Sequence, residues 1–407
     1  MYNNKEIKRI NAKRRLYWIV NAILHILLKL NFFRKKSIWI YGAWEGNQYD
    51  DNSRYLFEYV SENHPEIQSV WLSTNESIVK QVMKKGYRAE CSYSFRGIKT
   101  QLKAGVFFYT NGMEDIGNIA LVQGAVVFGL WHGTGMKNVY FMQEGSKKGI
   151  MAMLKHLKDE LFSVTHQDYI IATSNEVSIM RQQTYRMLPD QVLITGQPRN
   201  DVFKKKIEKQ DVLTGLTNAN DYRYILYMPT YRPYENTIVE ECVSLLAKDR
   251  SFIKYLEDNH IVFLLKLHYL TKINKDMVKF PLMIISNDDI SSTQELLAIS
   301  DCLITDYSGC CIDFALTNKP ILLYAPDFLE YCKKQGIKKE WHSIYKENAY
   351  TDISTLIEGV KKSMSGNPEL LIDEIINKWY EAPDIANTIY SENVYNEVNR
   401  IIARKGL

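Results

Sequence analysis

Short apolar runs alternate with amphipathic stretches along the chain from Ser37 onward. In the first half, helical stretches at residues 53–62 and 75–85 separate the first of these runs. The runs are Ile38–Tyr41, Val70–Leu72, Gly105–Tyr109, Ala125–Phe128 and Tyr169–Ala172. Short apolar runs separated by helices are typical of parallel strands that are covered on both faces. The pattern therefore predicts an α/β fold.

The alternation restarts after a polar, Lys-rich passage at residues 204–220. The second set of runs is Tyr224–Tyr227, Ile261–Leu265, Met283–Ile285, Cys302–Ile304 and Ile321–Tyr324. Two such sets predict two Rossmann-like domains that face each other across a cleft, with ligands at the carboxyl ends of the strands. We therefore divide the chain into an N-terminal segment (1–36), a first domain (37–203), a second domain (204–375) and C-terminal helices (376–407) that cross back to the first domain.

The composition is that of a folded globular protein, with 46% hydrophobic and 24% charged residues. A net charge of +4 is too small to indicate a nucleic-acid partner. The six cysteines form no CxxC pair and no zinc-type spacing, so we expect free thiols, as in a reducing cytoplasm, and no metal site.

The N-terminal segment carries most of the charge asymmetry. Ten Lys or Arg and a single acid lie between Lys5 and Lys36. They flank Leu16–Phe33, a stretch rich in aromatic residues and Leu but too interrupted by polar residues for a membrane span. This favours a basic amphipathic helix on an anionic membrane surface. The alternative is a helix that packs on the protein with its basic residues in solvent.

A turn between two apolar runs, Thr305-Asp306-Tyr307-Ser308-Gly309, precedes a helix-like stretch. Backbone N–H groups at the start of a helix are a favourable site for phosphate. The alternative is an ordinary strand–helix turn that Asp306 or Ser308 caps.

A histidine follows a buried run in Trp131-His132-Gly133-Thr134-Gly135. Imidazole is suited to removing a proton from an alcohol near neutral pH, and the glycines allow a substrate to approach the backbone. The alternative is a structural histidine that holds the loop. Lys137 adds a positive charge for an anionic acceptor.

Basic and hydroxyl side chains follow two strands of the second domain. Thr230 and Arg232 come after the first strand, and Lys266 and His268 share one face after the second. Arginine and hydroxyl groups can donate to phosphate oxygens. Each signal is weak alone, but their coincidence with His132 and the 305–309 turn indicates one site at the strand ends.

Two further segments have structural and functional interpretations. Ser292 and Glu295 have the spacing of a capping box, and Glu295 could instead accept hydrogen bonds from a nucleotide ribose, with Ser292 and Thr293 beside it. The glycine and the proline in residues 195–201 are typical of a domain boundary, where Arg199 and Asp201 could stabilise the hinge.

Together these motifs resemble the CDP-glycerol glycerophosphotransferase family of teichoic acid and capsule synthesis. Their order and spacing agree over nearly all of the chain after Ser37. The matching pieces are residues 49–56, Trp131 to Thr134, Gly196 to Asp201, Pro229 to Arg232, Lys266 to His268, Glu295 to Asp301, Ile304 to Ser308, and Asp313 with Phe314.

The resemblance implies a GT-B-like pair of domains, the first for the acceptor and the second for the CDP-polyol donor. It implies transfer of a polyol phosphate, glycerol phosphate first, to a hydroxyl of a lipid-linked saccharide or growing polymer, with release of CMP. No metal or cofactor is expected. The enzyme would lie peripherally on the cytoplasmic face of the cell membrane, and its oligomeric state is left open.

The resemblance also implies roles for single residues. His132 would be the base on the acceptor hydroxyl, and His268 the second catalytic histidine beside the donor pyrophosphate. The expected phosphate-binding residues are Thr230, Arg232, Lys266, Asp306, Ser308 and Gly309. The expected acceptor-side residues are Asn52, Gly133, Thr134 and Lys137.

The chain departs from the family pattern at several positions. Gly309 replaces a common serine, Gly135-Met136 replaces Pro-Leu, and Tyr269 replaces a common proline. The region after Asp327 lacks the Arg-Gly and Gly-Pro signatures of CDP-glycerol users, so a CDP-ribitol donor is one alternative. The others are a GT-B nucleotide-sugar glycosyltransferase and a membrane-associated binding protein with a degenerate site.

Overall fold

The computed structural model of the 407-residue chain describes residues 28, 33–117, 119–136, 167–213, 218–232, 234, 237–268, 271, 273–286, 289–290, 292–366, 371–381 and 387–405. The predicted N-terminal helix lies almost wholly outside the described residues, as do Lys137 and Tyr269. Among the described residues, no helix is long and apolar enough to cross a membrane.

The first domain is built on a parallel sheet with strand order β3-β2-β1-β4-β5-β6-β7. Its strands are β1 (Lys35–Gly42), β2 (Gln68–Ser73), β3 (Ala89–Cys91), β4 (Ala104–Tyr109), β5 (Val126–Gly129), β6 (Tyr169–Ala172) and β7 (Val192–Ile194). In β1, Ile40 lies opposite Val70 of β2 on one side and Phe107 of β4 on the other. Strands β4 and β5 are fully buried and β1 is buried from Ile38 onward, because both faces of the sheet are covered.

Helices α1 (Asp51–Asn63), α2 (Glu76–Lys84), α3 (Phe95–Lys103) and α4 (Asn175–Tyr185) connect strands of this sheet. Three of them begin at a side-chain cap that satisfies a free backbone N–H. Asn75 accepts from the Ser77 N–H, Ser94 from that of Gly97, and Ser174 from that of Val177.

The second domain has a parallel sheet with strand order β10-β9-β8-β11-β12-β13. Its strands are β8 (Arg223–Met228), β9 (Ile261–Leu265), β10 (Leu282–Ile284), β11 (Cys302–Thr305), β12 (Ile321–Tyr324) and β13 (Ala349–Tyr350). Its helices are α5 (Lys209–Val212), α6 (Thr237–Lys248), α7 (Arg250–Asp258), α8 (Thr293–Ile299), α9 (Cys310–Ala315), α10 (Phe328–Gln335), α11 (His342–Asn348) and α12 (Ile353–Met364).

Two C-terminal helices follow, α13 (Leu371–Trp379) and α14 (Tyr390–Lys405). Val394 and Val398 of α14 are fully buried in the first-domain core beside Trp39. The carboxylate of Asp201 accepts from the backbone N–H groups of Tyr390 and Ser391, 2.7 and 2.9 Å away. A carboxylate at a helix N-terminus is favoured by the helix dipole, so Asp201 fixes where α14 begins.

The predicted α/β class with two parallel-sheet domains is confirmed. The sequence pattern did not predict the edge strands β3, β7 and β13. Each has only two or three residues, which is too short to show a periodic pattern of hydrophobic positions. The run at Met283–Ile285 is displaced by one residue, since the strand is Leu282–Ile284.

The domains meet at Arg199, in the 3-10 segment Pro198–Lys204 that follows β7. Its guanidinium bonds Asp51 of the first domain at 3.0 Å and Asp313 of the second at 2.5 Å. All three side chains are buried. The backbone N–H of Arg199 also donates to the amide oxygen of Asn52, so the segment is anchored to α1 twice.

Neighbouring amides extend this buried junction. Gln197 and Asn200 donate to the carboxylate of Asp313 at 3.3 and 3.1 Å, and Gln294 at the start of α8 donates to Asn200 at 3.0 Å. The junction therefore fixes the starts of α1, α8 and α9 relative to one another.

We expect Arg199→Met to lower the free energy of unfolding by about 3–5 kcal/mol, because it leaves two carboxylates buried without their cation. Urea unfolding followed by circular dichroism measures this. Arg400→Met is the matched control, since Arg400 makes an exposed pair with Glu397 on α14 and its loss should change stability little. Equal stability of the two variants would contradict a buried ionic junction.

Candidate active site

A cleft of about 1020 Å³ lies between the two sheets, at the carboxyl ends of their central strands. Its walls combine residues from both domains. The first domain contributes Trp44, Asp50, His132 and Arg181, and the second contributes Thr230, His268, Ser308 and Lys338. This is the position expected for ligands in an open parallel sheet.

A reversal of the backbone after β5 brings His132 into the cleft. Trp131 has a φ of 56° and Gly133 a φ of 120°, both in the left-handed region. A left-handed conformation costs a non-glycine residue about 1–2 kcal/mol, so the surrounding contacts must hold Trp131 there. The imidazole stacks on Trp131 with ring centroids 4.3 Å apart, and Trp44 lies 5.5 Å away on a tilted plane.

The environment of His132 favours the neutral imidazole. Burial lowers the pKa of His132 to about 4, helped by the positive charges of Arg199 and Arg181 and opposed by a hydrogen bond with the Thr110 backbone. The ring is therefore unprotonated at neutral pH and can accept a proton.

Asn52, which is predicted on the acceptor side, is fully buried and stabilises the loop that carries His132. Its amide nitrogen donates to the backbone oxygens of Leu130 and Trp131 at 3.2 and 2.8 Å. Asn52 thus holds the residue before His132, and through Arg199 it ties that position to the domain junction.

The glycine of the 305–309 turn is explained by close packing between domains. A Cβ on Gly309 would lie 2.4 Å from the backbone oxygen of Thr134, so the serine common at this position would not fit. Gly133 is equally tight, because a Cβ there would lie 2.5 Å from the guanidinium of Arg199. The helix after the turn, α9, has six residues, so its dipole is small.

Arg232 and Asp306, both predicted to bind phosphate, are buried below the cleft and bond each other. Arg232 donates to Asp306 at 2.8 Å, to the Thr230 backbone oxygen at 2.8 Å, and to both carboxylate oxygens of Asp327 at 2.7 and 3.0 Å. Asp306 also accepts from the backbone N–H of Thr230 at 2.8 Å. The pair thus holds the backbone of Thr230, and neither side chain is among the described residues that line the cleft.

Thr230 and Ser308 do face the cleft. The buried hydroxyl of Thr230 lies close to the carboxylate of Asp306 and borders the cleft, where it can contact a ligand. The Ser308 hydroxyl accepts from the Cys310 N–H at 3.4 Å. Both hydroxyls therefore fit the predicted phosphate contact.

His268 lies at the mouth of the cleft after β9. Its ring stacks on Tyr231 with centroids 5.0 Å apart. Partial burial, and then the charge of Lys266, lower the pKa of His268. Lys266 is half-buried beside the cleft, and burial lowers its pKa while Asp50 and Asp289 oppose the shift.

Of the three residues predicted to bind the nucleotide, Ser292 and Thr293 line the cleft and Glu295 contacts the other domain. Ser292 caps α8 by accepting from the Gln294 N–H, and it donates to Asp50 at 2.9 Å. Thr293 lines the cleft. Glu295 pairs with Arg54 of α1 at 2.9 Å, which is an ionic contact between domains. The Ser292 hydroxyl accepts from the N–H of Gln294, whereas in a capping box it would accept from that of Glu295.

Sequence reasoning missed two cations in the cleft wall, Arg181 and Lys338. Arg181 lies within a helix, and Lys338 lies in a lysine-rich segment that is typical of solvent-exposed surface. Only the packing distinguishes them from their exposed neighbours. Within the described ranges, no group of three or more His, Cys, Asp or Glu is arranged to hold a metal ion.

The family model for CDP-glycerol:poly(glycerophosphate) glycerophosphotransferases matches residues 23–399 of the chain. The chain belongs to this family. It is 25% identical over 397 residues to the teichoic acid poly(glycerol phosphate) polymerase of Staphylococcus epidermidis, a match that covers 94% of this chain and 51% of that protein. The chain thus spans about half the length of that relative.

A second relative has a similar length. The chain is 26% identical over 387 residues to the teichoic acid glycerol-phosphate transferase of Staphylococcus aureus, covering 89% of this chain and 91% of that protein. A match to the teichoic acid poly(ribitol-phosphate) polymerase of Bacillus spizizenii, also 26% identical, covers 54% of this chain and 39% of that protein.

Among solved structures, the wall teichoic acid polymerase TagF aligns with a TM-score of 0.72 and 20% identity over 100% of both chains. A Staphylococcus aureus MnaA–UDP structure aligns with a TM-score of 0.52 and 11% identity, covering 91% of this chain and 97% of that one. These likenesses concern the fold. The predicted GT-B-like pair of domains is thereby confirmed.

We predict that the imidazole of His132 stays neutral at pH values well below 6.5, the ordinary pKa of histidine. Nitrogen-15 NMR of the imidazoles, with the resonance assigned by its loss in His132→Gln, should give a pKa near 4. Arg181→Met should raise that pKa because it removes one of the two nearby positive charges. A wild-type value near 6.5 would show that the cleft does not depress the pKa of His132, and no shift in Arg181→Met would exclude a contribution from the charge of Arg181.

Proposed function

We propose that this enzyme transfers glycerol phosphate from CDP-glycerol to a hydroxyl of a lipid-linked saccharide or growing polymer and releases CMP. Membership of the glycerophosphotransferase family and the similarity to two glycerol-phosphate transferring relatives support this activity. The observation that carries it is the neutral His132 in a cleft whose other wall presents the hydroxyls of Thr230 and Ser308.

The chemical step is a displacement at the donor phosphorus that bears glycerol. The acceptor oxygen forms a new P–O bond while its proton passes to His132. The P–O bond to CMP breaks, and its electron pair leaves with CMP. Since phosphoryl transfer depends mainly on positioning and on neutralising charge, the protein needs a base on one side and hydrogen-bond donors on the other.

Second-domain groups would bind the donor pyrophosphate. Thr230 and Ser308 have hydroxyls in the cleft, and His268 lies at its mouth. The buried Arg232 and its two carboxylates keep the Thr230 backbone in place, so they support the site without contacting substrate. Thr293, which lines the cleft, would contribute to nucleotide binding.

The donor's polyol is either glycerol or ribitol, and the relatives bear on the choice between them. The relatives with the longest matches carry glycerol-phosphate names, while the match to a ribitol-phosphate polymerase covers about half the chain. We therefore favour CDP-glycerol as donor, and CDP-ribitol is the substrate to compare with it. The basic N-terminal residues up to Lys36 support a peripheral site on the cytoplasmic face of an anionic membrane.

Incubation of the full chain with CDP-glycerol and a synthetic lipid-linked acceptor should release CMP and add glycerol phosphate to the acceptor. Chromatography of CMP and mass spectrometry of the acceptor measure both products. Turnover of a UDP-sugar without turnover of either CDP-polyol would instead identify a glycosyltransferase. No turnover of any of these donors would favour a binding protein.

His132→Ala should lower kcat by about 10²–10⁴-fold, because it removes the general base. His260→Asn is the control, since His260 is exposed and its positive φ of 51° is tolerated by Asn. A loss of less than a few-fold in His132→Ala would rule out the proposed base.

A further inference from the structure

Two buried cations, Arg181 and Lys338, stand in the cleft wall beside the loop that carries His132. Their side chains are about as buried as core residues, with relative exposures of 8% and 7%. Within the described ranges, neither has a carboxylate within ion-pair distance. Burying an unpaired charge costs several kcal/mol, so such cations normally have an anionic partner.

Arg181 reaches the loop from α4 of the first domain. Its guanidinium donates to the backbone oxygen of Gly133 at 2.8 Å and lies 5.5 Å from the centroid of the Trp131 ring. Its Nε atom has no hydrogen-bond partner among the residues the structure describes. Burial lowers the pKa of Arg181, a hydrogen bond and electrostatic interaction with Tyr185 oppose the shift, and the nearby charge of Arg199 lowers the pKa further. The charged neighbour that affects the pKa of Arg181 is thus itself a cation.

Lys338 reaches the same loop from the second domain. Its Nζ donates to the backbone oxygen of Gly135 at 2.9 Å, and its backbone N–H donates to Met136, also at 2.9 Å. Burial and then the charge of Arg181 lower the pKa of Lys338 to about 8, while Glu340 opposes the shift. The ammonium is therefore still mostly protonated at pH 7.

There is space for a ligand next to these cations. A Cβ added to Gly135 would meet no atom of the described residues within 4 Å, in contrast to the crowded Gly133 and Gly309. Arg181, Lys338, Gly135 and His132 all line the same cleft. An anion bound there would lie beside the catalytic base.

We propose that Arg181 and Lys338 bind a phosphodiester of the acceptor, so that the enzyme acts on an acceptor that already carries glycerol phosphate. The inference rests on the proposed transferase function and deepens it. In a terminal glycerol phosphate unit, the free hydroxyl lies only a few bonds from the phosphodiester. Holding the phosphodiester on the two cations would therefore present the hydroxyl to His132.

The same anion site is less suited to the donor. Arg181 belongs to the first domain, and the Nζ atom of Lys338 contacts the first-domain residues Gly135 and Met180. The groups proposed for the donor pyrophosphate, Thr230 and Ser308, follow strands of the second domain. The two sites therefore divide the cleft by domain.

The test compares binding of two soluble acceptors to the full chain by calorimetry. Both are the same alkyl-linked saccharide, and only one carries a single glycerol phosphate unit. The wild type should bind the phosphate-bearing acceptor more tightly. Lys338→Met should weaken that binding by about 10–100-fold, as expected for loss of a charge-assisted hydrogen bond. Its binding of the plain saccharide and of CDP-glycerol should change less than about twofold.

Lys339→Met is the matched control, because Lys339 is the exposed neighbour of Lys338. Lys338→Arg should retain most of the preference for the phosphate-bearing acceptor, and unchanged CDP-glycerol binding shows that each variant is folded. Equal weakening for both acceptors, or loss of CDP-glycerol affinity alone, would overturn the proposal. Failure of the transferase function would appear separately, as absence of CMP release by the wild type.

Discussion

The guanidinium of Arg199 is shared between Asp51 in the first domain and Asp313 in the second, and the geometry of the cleft depends on this contact. Burial raises the pKa of Asp51, and the Arg199 charge is the main force that opposes the shift. Either carboxylate would be costly in this place without the cation. The ionic contact therefore specifies how the two sheets face each other as well as holding them together.

The same residue affects the chemistry of the cleft. Its backbone N–H donates to Asn52, whose amide holds the carbonyl group of Trp131 immediately before His132. Its charge is the largest electrostatic contribution to the lowered pKa of His132, after burial. Assembly of the two domains thus also sets the orientation and the protonation state of the proposed base.

The second domain repeats this arrangement with different residues. Arg232 lies between Asp306 and Asp327, and the three side chains are buried behind Thr230. Because the guanidinium is occupied by carboxylates, its contribution is to hold the turn in place. Arg181 and Lys338 differ from it, since among the described residues no carboxylate pairs with them and both line the cleft.

Much of the fold could be predicted from the sequence because buried parallel strands are short apolar runs, as at Ile261–Leu265. His132, Thr230 and Ser308 could be placed in the cleft because each follows such a run. The role of Arg232 could not be predicted, since an arginine after a strand looks the same whether it faces phosphate or a distant carboxylate such as Asp327. The burial of Lys338 in the cleft wall could not be predicted either, because it depends on a contact with a loop about 200 residues away in the sequence.

The pH dependence of kcat/KM for glycerol phosphate transfer tests the central claim most directly, because this ratio reports the ionisation of groups in the free enzyme. If His132 is the base and the assembled cleft keeps it neutral, activity should persist through the range in which an ordinary histidine becomes protonated. It should then fall only as the pH approaches about 4. An acidic limb centred near 6.5, unchanged in a residually active His132→Ala variant, would contradict this account.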